Sequence, residues 1–270
     1  MATKINHVAI VSDCYAVVGK FYEALFGFKS PTSRKLFNAV TVGDGYVGIN
    51  INPRRPGRPS GLDHFGVEVD EVPEIFDRLK SHYPAIKALQ RPTNRPFAGI
   101  TTHDPDGNVF DLSQKDMKNR GEIYLENEAG WTQLRTVRHF AMRTMNPERV
   151  AEFYVTVLGL TLMDRTDQDA GYRVTDGRMT LAVLPWDIER YQGTGIIRPG
   201  PDHLGFGVEN LDAFKADLER VAGENPSLMP KQIALGPEGR ARSEMISRDN
   251  PGAFVMSDVD NVTLSVSVVG

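Results

Sequence analysis

The chain has 270 residues, a length that predicts about two domains at the usual size of roughly 150 residues each. With 40% hydrophobic and 24% charged residues, its composition is that of an ordinary globular protein and excludes a disordered or collagen-like chain. The 35 acidic and 31 basic side chains leave a formal net charge of −4. The sequence therefore predicts no binding to nucleic acid or to an anionic membrane surface.

The sequence has one cysteine, Cys14, which excludes an internal disulfide and fits a reducing compartment. The first residues contain no apolar signal core, and no stretch reaches the roughly 18 to 20 apolar residues of a membrane span. We therefore expect a cytoplasmic protein.

Short periodic segments follow one another along the first half of the chain. Apolar residues with helical spacing predict helices, and short buried or alternating runs predict strands. A glycine after Phe26 and a proline in the first turn of the second helix mark helix boundaries. The predicted order is strand 5–11, helix 16–26, strands 36–42, 46–51 and 64–69, helix 73–82, strands 86–90 and 99–102, turn 104–108 and strand 109–113.

The second half of the chain repeats the first. Segment 7–10 matches segment 139–142, and each stands the same distance before a Phe-Tyr pair. The Asp-His-x-Gly segment at 63–66 recurs at 202–205. The repeat predicts four βαβββ units in two modules, residues 1–116 and 133–270, which are joined by a charged linker at 117–132.

Three motifs together carry a family resemblance: histidines on the first strand of each unit, a Phe-Tyr-x-x-x-Leu/Phe-Gly helix end, and the Asp-Pro-Asp-Gly-Asn turn at 104–108. The chain resembles the vicinal oxygen chelate superfamily, which includes glyoxalase I, extradiol dioxygenases and bleomycin-resistance proteins. The resemblance implies an α+β fold in which the four units form two modules with cup-shaped mixed sheets and outer helices. It also implies a metal on the concave face of a cup.

The family's metal-binding positions fall on His7, His64 and Asp111 in the first module. Strand alternation supports this placement, because Asp111 lies on the opposite face from the apolar Phe110 and Leu112. Two imidazoles and one carboxylate are typical of Fe(II) or Mn sites and compatible with Zn or Ni. Asp111 departs from the family pattern, because family members usually have the longer glutamate at this position.

The second module keeps His139 and His203 but has no carboxylate on its last strand. Aligning Asn261 with Asn108 puts Leu264 at the carboxylate position, and a shift of one residue puts Thr263 or Ser265 there instead. We therefore expect the second module to be degenerate, with its histidines hydrogen-bonded rather than bound to metal. Asp258 and Asp260 are expected in a solvated turn.

Other residues are candidates for catalysis and substrate binding. The extradiol dioxygenases that the chain resembles place a tyrosine and a histidine where this sequence has Thr101 and Pro92. The remaining candidates for proton transfer are Glu68, which has the strand parity of His64, and His103, which precedes the turn. Asn50 and the basic loop residues Arg54 and Arg55 are candidates for substrate binding.

The sequence thus supports a divalent-metal-dependent enzyme that acts on a small vicinally oxygenated substrate, as a dioxygenase or as a lyase or isomerase. The alternative is a metal-free protein that binds and sequesters a small molecule, as the bleomycin-resistance proteins do. In both cases the partner is a small molecule, and pairing into a homodimer is possible in this superfamily.

Overall fold

The computed structural model describes residues 3–30, 39–91, 99–115 and 133–269. The predicted linker 117–132, Pro92 and the first part of the predicted strand 36–42 lie outside these residues. The described chain contains two mixed sheets of seven strands each, one for each predicted module, with helices packed against them. The two-module α+β fold implied by the family resemblance is confirmed.

The first sheet has the strand order β2-β3-β1-β4-β7-β6-β5. Its elements follow the predicted order closely. They are β1 (Thr3–Ser12), α1 (Tyr15–Phe26), β2 (Val40–Gly43), β3 (Gly48–Pro53), β4 (Gly61–Val69), α2 (Val72–His82), β5 (Leu89–Gln90), β6 (Ile100–His103) and β7 (Val109–Gln114).

The second sheet has the strand order β13-β14-β12-β8-β11-β10-β9. Besides the strands and α-helices, this module contains a single turn of 3-10 helix at Pro226–Leu228. The elements are β8 (Thr136–Thr144), α3 (Pro147–Leu158), β9 (Thr161–Leu162), β10 (Tyr172–Thr175), β11 (Thr180–Pro185), α4 (Ile188–Thr194), β12 (Gly200–Val208), α5 (Leu211–Glu224), α6 (Gly236–Asp249), β13 (Phe254–Ser257) and β14 (Thr263–Val268).

Helices α1 and α3 end in the same way. Gly27 and Gly159 adopt left-handed backbone conformations, with φ of 71° and 72°, and their N–H groups bond to the last turn. The Phe-Tyr pair in each helix is completely buried. One hydrophobic cluster extends through both modules, and the rings of Phe65 and Phe140 pack across it with centroids 5.4 Å apart. The helices therefore bury their apolar faces in a shared core.

Reciprocal hydrogen bonds join the two modules. Tyr22 donates to Asp258 Oδ2 at 3.2 Å, and Tyr154, its repeat equivalent, donates to Asp104 Oδ2 at 2.9 Å. Each aspartate opens the turn before the last strand of the opposite module. The prediction of a solvated turn is wrong for Asp258, which is fully buried at the module interface. Hydrogen bonds from its own turn and from Tyr22 replace those that water would make to the carboxylate.

A second reciprocal pair links the central strands. Asp44 Oδ2 accepts a hydrogen bond from Val137 N on β8 at 2.7 Å, and Asp176 Oδ2 accepts one from Ile5 N on β1 at 2.7 Å. Both carboxylates lie in tight turns between the outer strands of their own module. The module interface thus contains two pairs of reciprocal polar contacts.

The fourth unit departs from the predicted repeat. Helix α6 precedes its last two strands, whereas the repeat predicts strands alone. Arg242 and Asp249 of α6 form ion pairs with Asp202 and Arg143 of the second sheet. Helix α6 therefore covers the histidine-bearing face of the second sheet. No helix in the described residues is both long and apolar enough to cross a membrane.

Candidate metal centre

The register of three adjacent strands brings the predicted metal-binding residues together. Gly66 on β4 lies opposite His7 on β1 and opposite Asp111 on β7. A Cβ atom at Gly66 would lie 1.9 Å from His7 Cε1, so the imidazole occupies the space that any other residue would fill. The face of the sheet that carries these side chains is called the cup face below.

His7, His64 and Asp111 form a compact cluster on the cup face. His64 Nε2 lies 3.2 Å from Asp111 Oδ2, and His7 Nε2 lies 4.0 Å from the same oxygen. The two rings are nearly perpendicular, with centroids 5.8 Å apart. One ligand atom from each residue lies within 4.8 Å of the other two, and no other group of this kind occurs among the described residues.

Neighbouring side chains fix the orientation of both imidazoles. His7 Nδ1 donates to Asn6 Oδ1 at 2.8 Å, and His64 Nδ1 donates to Asp63 Oδ2 at 2.7 Å. The Nε2 atom of each ring is therefore the one presented to the cluster. Arg58, which lies in the basic loop, forms an ion pair with Asp63. Arg58 is therefore linked to His64 by way of the Asp63 carboxylate.

The carboxylate of Asp111 is fixed in the same way. Thr101 lies directly opposite it on β6 and donates a hydrogen bond to Oδ1, while Arg91 Nε donates to the Thr101 hydroxyl at 2.6 Å. Because Oδ1 is occupied, only Oδ2 faces the two histidines. Sequence reasoning treated Thr101 only as a missing tyrosine and did not single out Arg91.

The electrostatics of the cluster favour a cation. Burial and the neighbouring His64 lower the pKa of His7 to about 3. Burial opposes the charged form of His64, but hydrogen bonds and charge from Asp111 and Asp63 raise its pKa to about 9. Burial likewise opposes ionisation of Asp111, yet His64 and His7 lower its pKa to about 2. In the metal-free state a proton on His64 balances the Asp111 charge.

The donor set fits a divalent metal. Two imidazole nitrogens and one carboxylate oxygen on one face are the ligands that Fe(II), Mn, Zn and Ni accept. Such a set leaves positions for substrate oxygens. A metal here would replace the proton that His64 otherwise carries, so its binding depends on pH.

The second module has Ser265 where the first has Asp111. Ser265 pairs with Gly205 as Asp111 pairs with Gly66.

The turn before each of these strands explains the register. Asp258 accepts hydrogen bonds within its turn as Asp104 does in the first module. Asn261 has a φ of 68° and takes the left-handed position that Gly107 holds in the first module. Of the three positions left open by the sequence, the structure selects Ser265.

The histidines of the second module are hydrogen-bonded. His139 Nε2 and His203 Nε2 lie 3.1 Å apart, and Asn250, which follows α6, contacts His203 Nε2 at 3.2 Å. His203 Nδ1 donates to Asp202 at 2.7 Å.

Asp202 belongs to a buried ionic network. Burial disfavours the ionised form of Asp202, but Arg143 and Arg242 hold its pKa far below the usual range. A buried ionic network and α6 therefore fill the second cup.

The other predicted residues lie outside the cluster. Glu68 is buried on β4, opposite Lys4 and Ser113 in the neighbouring strands. His103 donates to the Asp104 carbonyl and lines a cavity of about 300 Å³ beside Tyr83 and Arg149. Their catalytic roles stay predictions.

The residues predicted to bind substrate are spread over the first module. Asn50 lies on β3, separated from His64 only by Ala9 on β1, and so lies on the cup face. Arg54 is exposed and forms an ion pair with Asp13, and Arg55 is exposed in the basic loop. Of these residues, Asn50 is the one that the structure brings next to the cluster.

Comparison with known proteins places this geometry in a family context. The family model described as glyoxalase/bleomycin resistance protein/dioxygenase superfamily matches residues 4–112 and 136–241. The uncharacterized protein YaeR of Escherichia coli K12 is 26% identical over 124 residues, which are 42% of this chain and 96% of YaeR.

Solved structures with the same fold span nearly the whole chain. The Mn(II)-bound glyoxalase of Novosphingobium aromaticivorans is 13% identical with a TM-score of 0.61, and the match covers 99% of this chain and 82% of that one. The 2,2',3-trihydroxybiphenyl 1,2-dioxygenase of Sphingomonas wittichii RW1 is 13% identical with a TM-score of 0.62, and the match covers 100% and 91%. At such identities the likeness shows the fold alone.

Proposed function

Because the chain belongs to the glyoxalase/bleomycin resistance protein/dioxygenase superfamily, we propose that it is a divalent-metal-dependent enzyme acting on a small substrate with two vicinal oxygen atoms. His7, His64 and Asp111 hold the metal. The observation that carries the proposal is the convergence of their ligand atoms within 4.8 Å of one another. The repeat-related residues of the second module lack the carboxylate and are covered by α6.

The chain's own residues orient the three metal ligands. A bound divalent metal supplies a Lewis acid that stabilises negative charge on coordinated oxygen atoms. Asn6 and Asp63 hold the two imidazoles, and Thr101 holds Asp111 so that one oxygen is presented. Such neighbours of metal ligands commonly contribute to metal affinity.

Proton transfer is assigned to residues near the cup face. Glu68 shares the strand parity of His64, so we propose it as the group that accepts a substrate proton. His103, at the end of β6, is proposed as a second proton-transferring residue. Asn50 is proposed to bind the substrate beside the cluster, with Arg54 and Arg55 at the entrance.

Fe(II) or Mn(II) is the metal that we expect first, with Zn(II) or Ni(II) also compatible with the donor set. One structural relative is named as a Mn(II)-bound glyoxalase and another as a homoprotocatechuate 2,3-dioxygenase. The proposed reaction is accordingly a dioxygenation or a lyase or isomerase reaction. The partner is a small molecule, and a homodimer is a further prediction from the family resemblance.

Elemental analysis of untagged, anaerobically purified protein tests the proposal. We expect about one metal ion per chain, lost in Asp111→Ala and retained in Ser265→Ala, the matched change in the second module. Iron or manganese leads to assays with catechols under oxygen, and zinc or nickel leads to isomerase and lyase assays. A wild-type protein without stoichiometric metal would contradict the proposal and support metal-free ligand binding instead.

A further inference from the structure

Arg91 lies beside the metal cluster and forms no ion pair with any described residue. Its Nε–H donates to Thr101, which in turn bonds to Asp111, so two hydrogen bonds separate the guanidinium from the metal-binding carboxylate. The Arg91 backbone N–H donates to the Gly99 carbonyl at 2.9 Å, which fixes the base of the side chain. Arg91 is therefore a cation held at Nε, and its two terminal amino groups make no hydrogen bond to a described residue.

The other arginines near the first cup are neutralised or remote. Arg54 forms an ion pair with Asp13, and Arg58 forms one with Asp63. Arg55 lies exposed in the same loop, where its carbonyl accepts a hydrogen bond from Arg58 N. Arg91 is thus the arginine of the first module that is both adjacent to the cluster and without a carboxylate partner among the described residues.

Apolar surface lies next to this cation. Leu89 pairs directly with Thr101 on the cup face and is 64% exposed. Val109 precedes Asp111 by two residues on β7, shares its face and is 46% exposed. Large apolar side chains with this exposure beside a fixed charge favour a ligand with an apolar body and a charged end.

Resting on the proposed function, we propose that Arg91 is the anion-binding residue of the first cup and that the substrate carries a carboxylate on an apolar body. The two terminal amino groups of Arg91 bind the carboxylate as a fork, with Nε held by Thr101. The apolar body lies on Leu89 and Val109, and the vicinal oxygens face His7, His64 and Asp111. The carboxylate thereby sets the position of the substrate relative to the metal.

Two ligands of matched shape test this assignment. Binding of 3,4-dihydroxybenzoate and of the neutral 3,4-dihydroxybenzamide to the Mn(II)-loaded protein is measured by calorimetry. We expect the wild-type protein to prefer the carboxylate by about tenfold or more, the range of a charge-assisted hydrogen bond. Arg91→Gln abolishes the preference, and Arg220→Gln, which removes an exposed arginine of the second module that is paired with Asp217 and Glu224, retains it.

Equal binding of the two ligands by the wild-type protein, or an unchanged preference in Arg91→Gln, would overturn the assignment. Should Arg91→Gln not fold, Arg91→Lys is measured instead, and we expect a reduced preference because lysine offers no fork. If the protein binds no Mn(II), the proposed function fails. Arg91 is then tested on the metal-free protein, in which it must bind benzoate more tightly than benzamide.

Discussion

Asp111 and Ser265 occupy the same place in the two sheets, each beside a glycine that makes room for a histidine. This difference, together with the ionic network and helix α6 that fill the second cup, separates a cluster suited to metal binding from a hydrogen-bonded one. The histidines themselves are retained in both modules but have different partners. His64 faces Asp111, and His203 contacts His139 and Asn250.

His64 and His203 occupy equivalent positions in the two modules, and replacing each by alanine should have a different effect. His64→Ala should abolish metal binding, because it removes a ligand. His203→Ala should leave the metal content unchanged but lower the free energy of unfolding by about 1–3 kcal/mol, because buried Asp202 loses a hydrogen bond. Metal analysis and urea unfolding of the metal-free proteins measure both effects. A loss of metal in His203→Ala would contradict the assignment to the first module.

Removing the Thr101 hydroxyl should weaken metal binding without removing a ligand. In Thr101→Val the Asp111 carboxylate loses the hydrogen bond to Oδ1 and can rotate, so we expect metal affinity to fall about 10- to 100-fold. A titration with Mn(II) measures the dissociation constant. Thr102→Val is the control, because Thr102 bonds to the Lys87 carbonyl instead and its loss should leave metal affinity unchanged.

The tyrosines at the module interface should stabilise the fold equally. Tyr22→Phe and Tyr154→Phe each remove a hydrogen bond to a buried aspartate, so each should lower the free energy of unfolding by about 1–3 kcal/mol. Denaturant unfolding measures the loss. Tyr15→Phe serves as the control, since Tyr15 makes no side-chain hydrogen bond to a described residue. Losses no larger than that of the control would show that the interface does not depend on these bonds.

The buried Asp258 should give stability an unusual pH dependence. Burial raises its pKa from 3.8 to about 6, although its own turn and Tyr22 oppose the shift. Between about pH 4 and 6 the folded state then binds more protons at this group than the unfolded state, so its contribution to stability falls as the pH rises. Asp258→Asn removes this contribution, and its stability relative to wild type should improve across that interval.

Unfolding in urea at several pH values measures this difference. Asp44→Asn should behave similarly, because burial raises the pKa of Asp44 to about 6 as well. A difference from wild type that stays constant between pH 4 and 6 would show that these carboxylates do not titrate there.

Much of the fold followed from local sequence patterns. The strands and helices of the first half repeat in the second, and alternation on β7 placed Asp111 on the cup face. The register of β14 was left open because the sequence match aligned Asn261 with Asn108. The backbone instead aligns Asn261 with Gly107, since asparagine tolerates a positive φ.

No local sequence pattern predicted helix α6. Its sequence contains Gly236 and Gly239 and buries only Met245 and Ile246, so helical periodicity is weak. Ion pairs with Arg143 and Asp202 hold it against the second sheet, and those partners are distant in sequence. Contacts that depend on tertiary structure, such as the bond between Arg91 and Thr101, were likewise not visible in the sequence.

The hydrogen bond from Tyr154 to Asp104 couples the structure of the first module to that of the second. Asp104 shapes the turn before the strand that bears Asp111, so the C-terminal half supports the cluster from outside the first module. An N-terminal half expressed alone would therefore lack the contact that supports this turn, and with it one support of the proposed metal site.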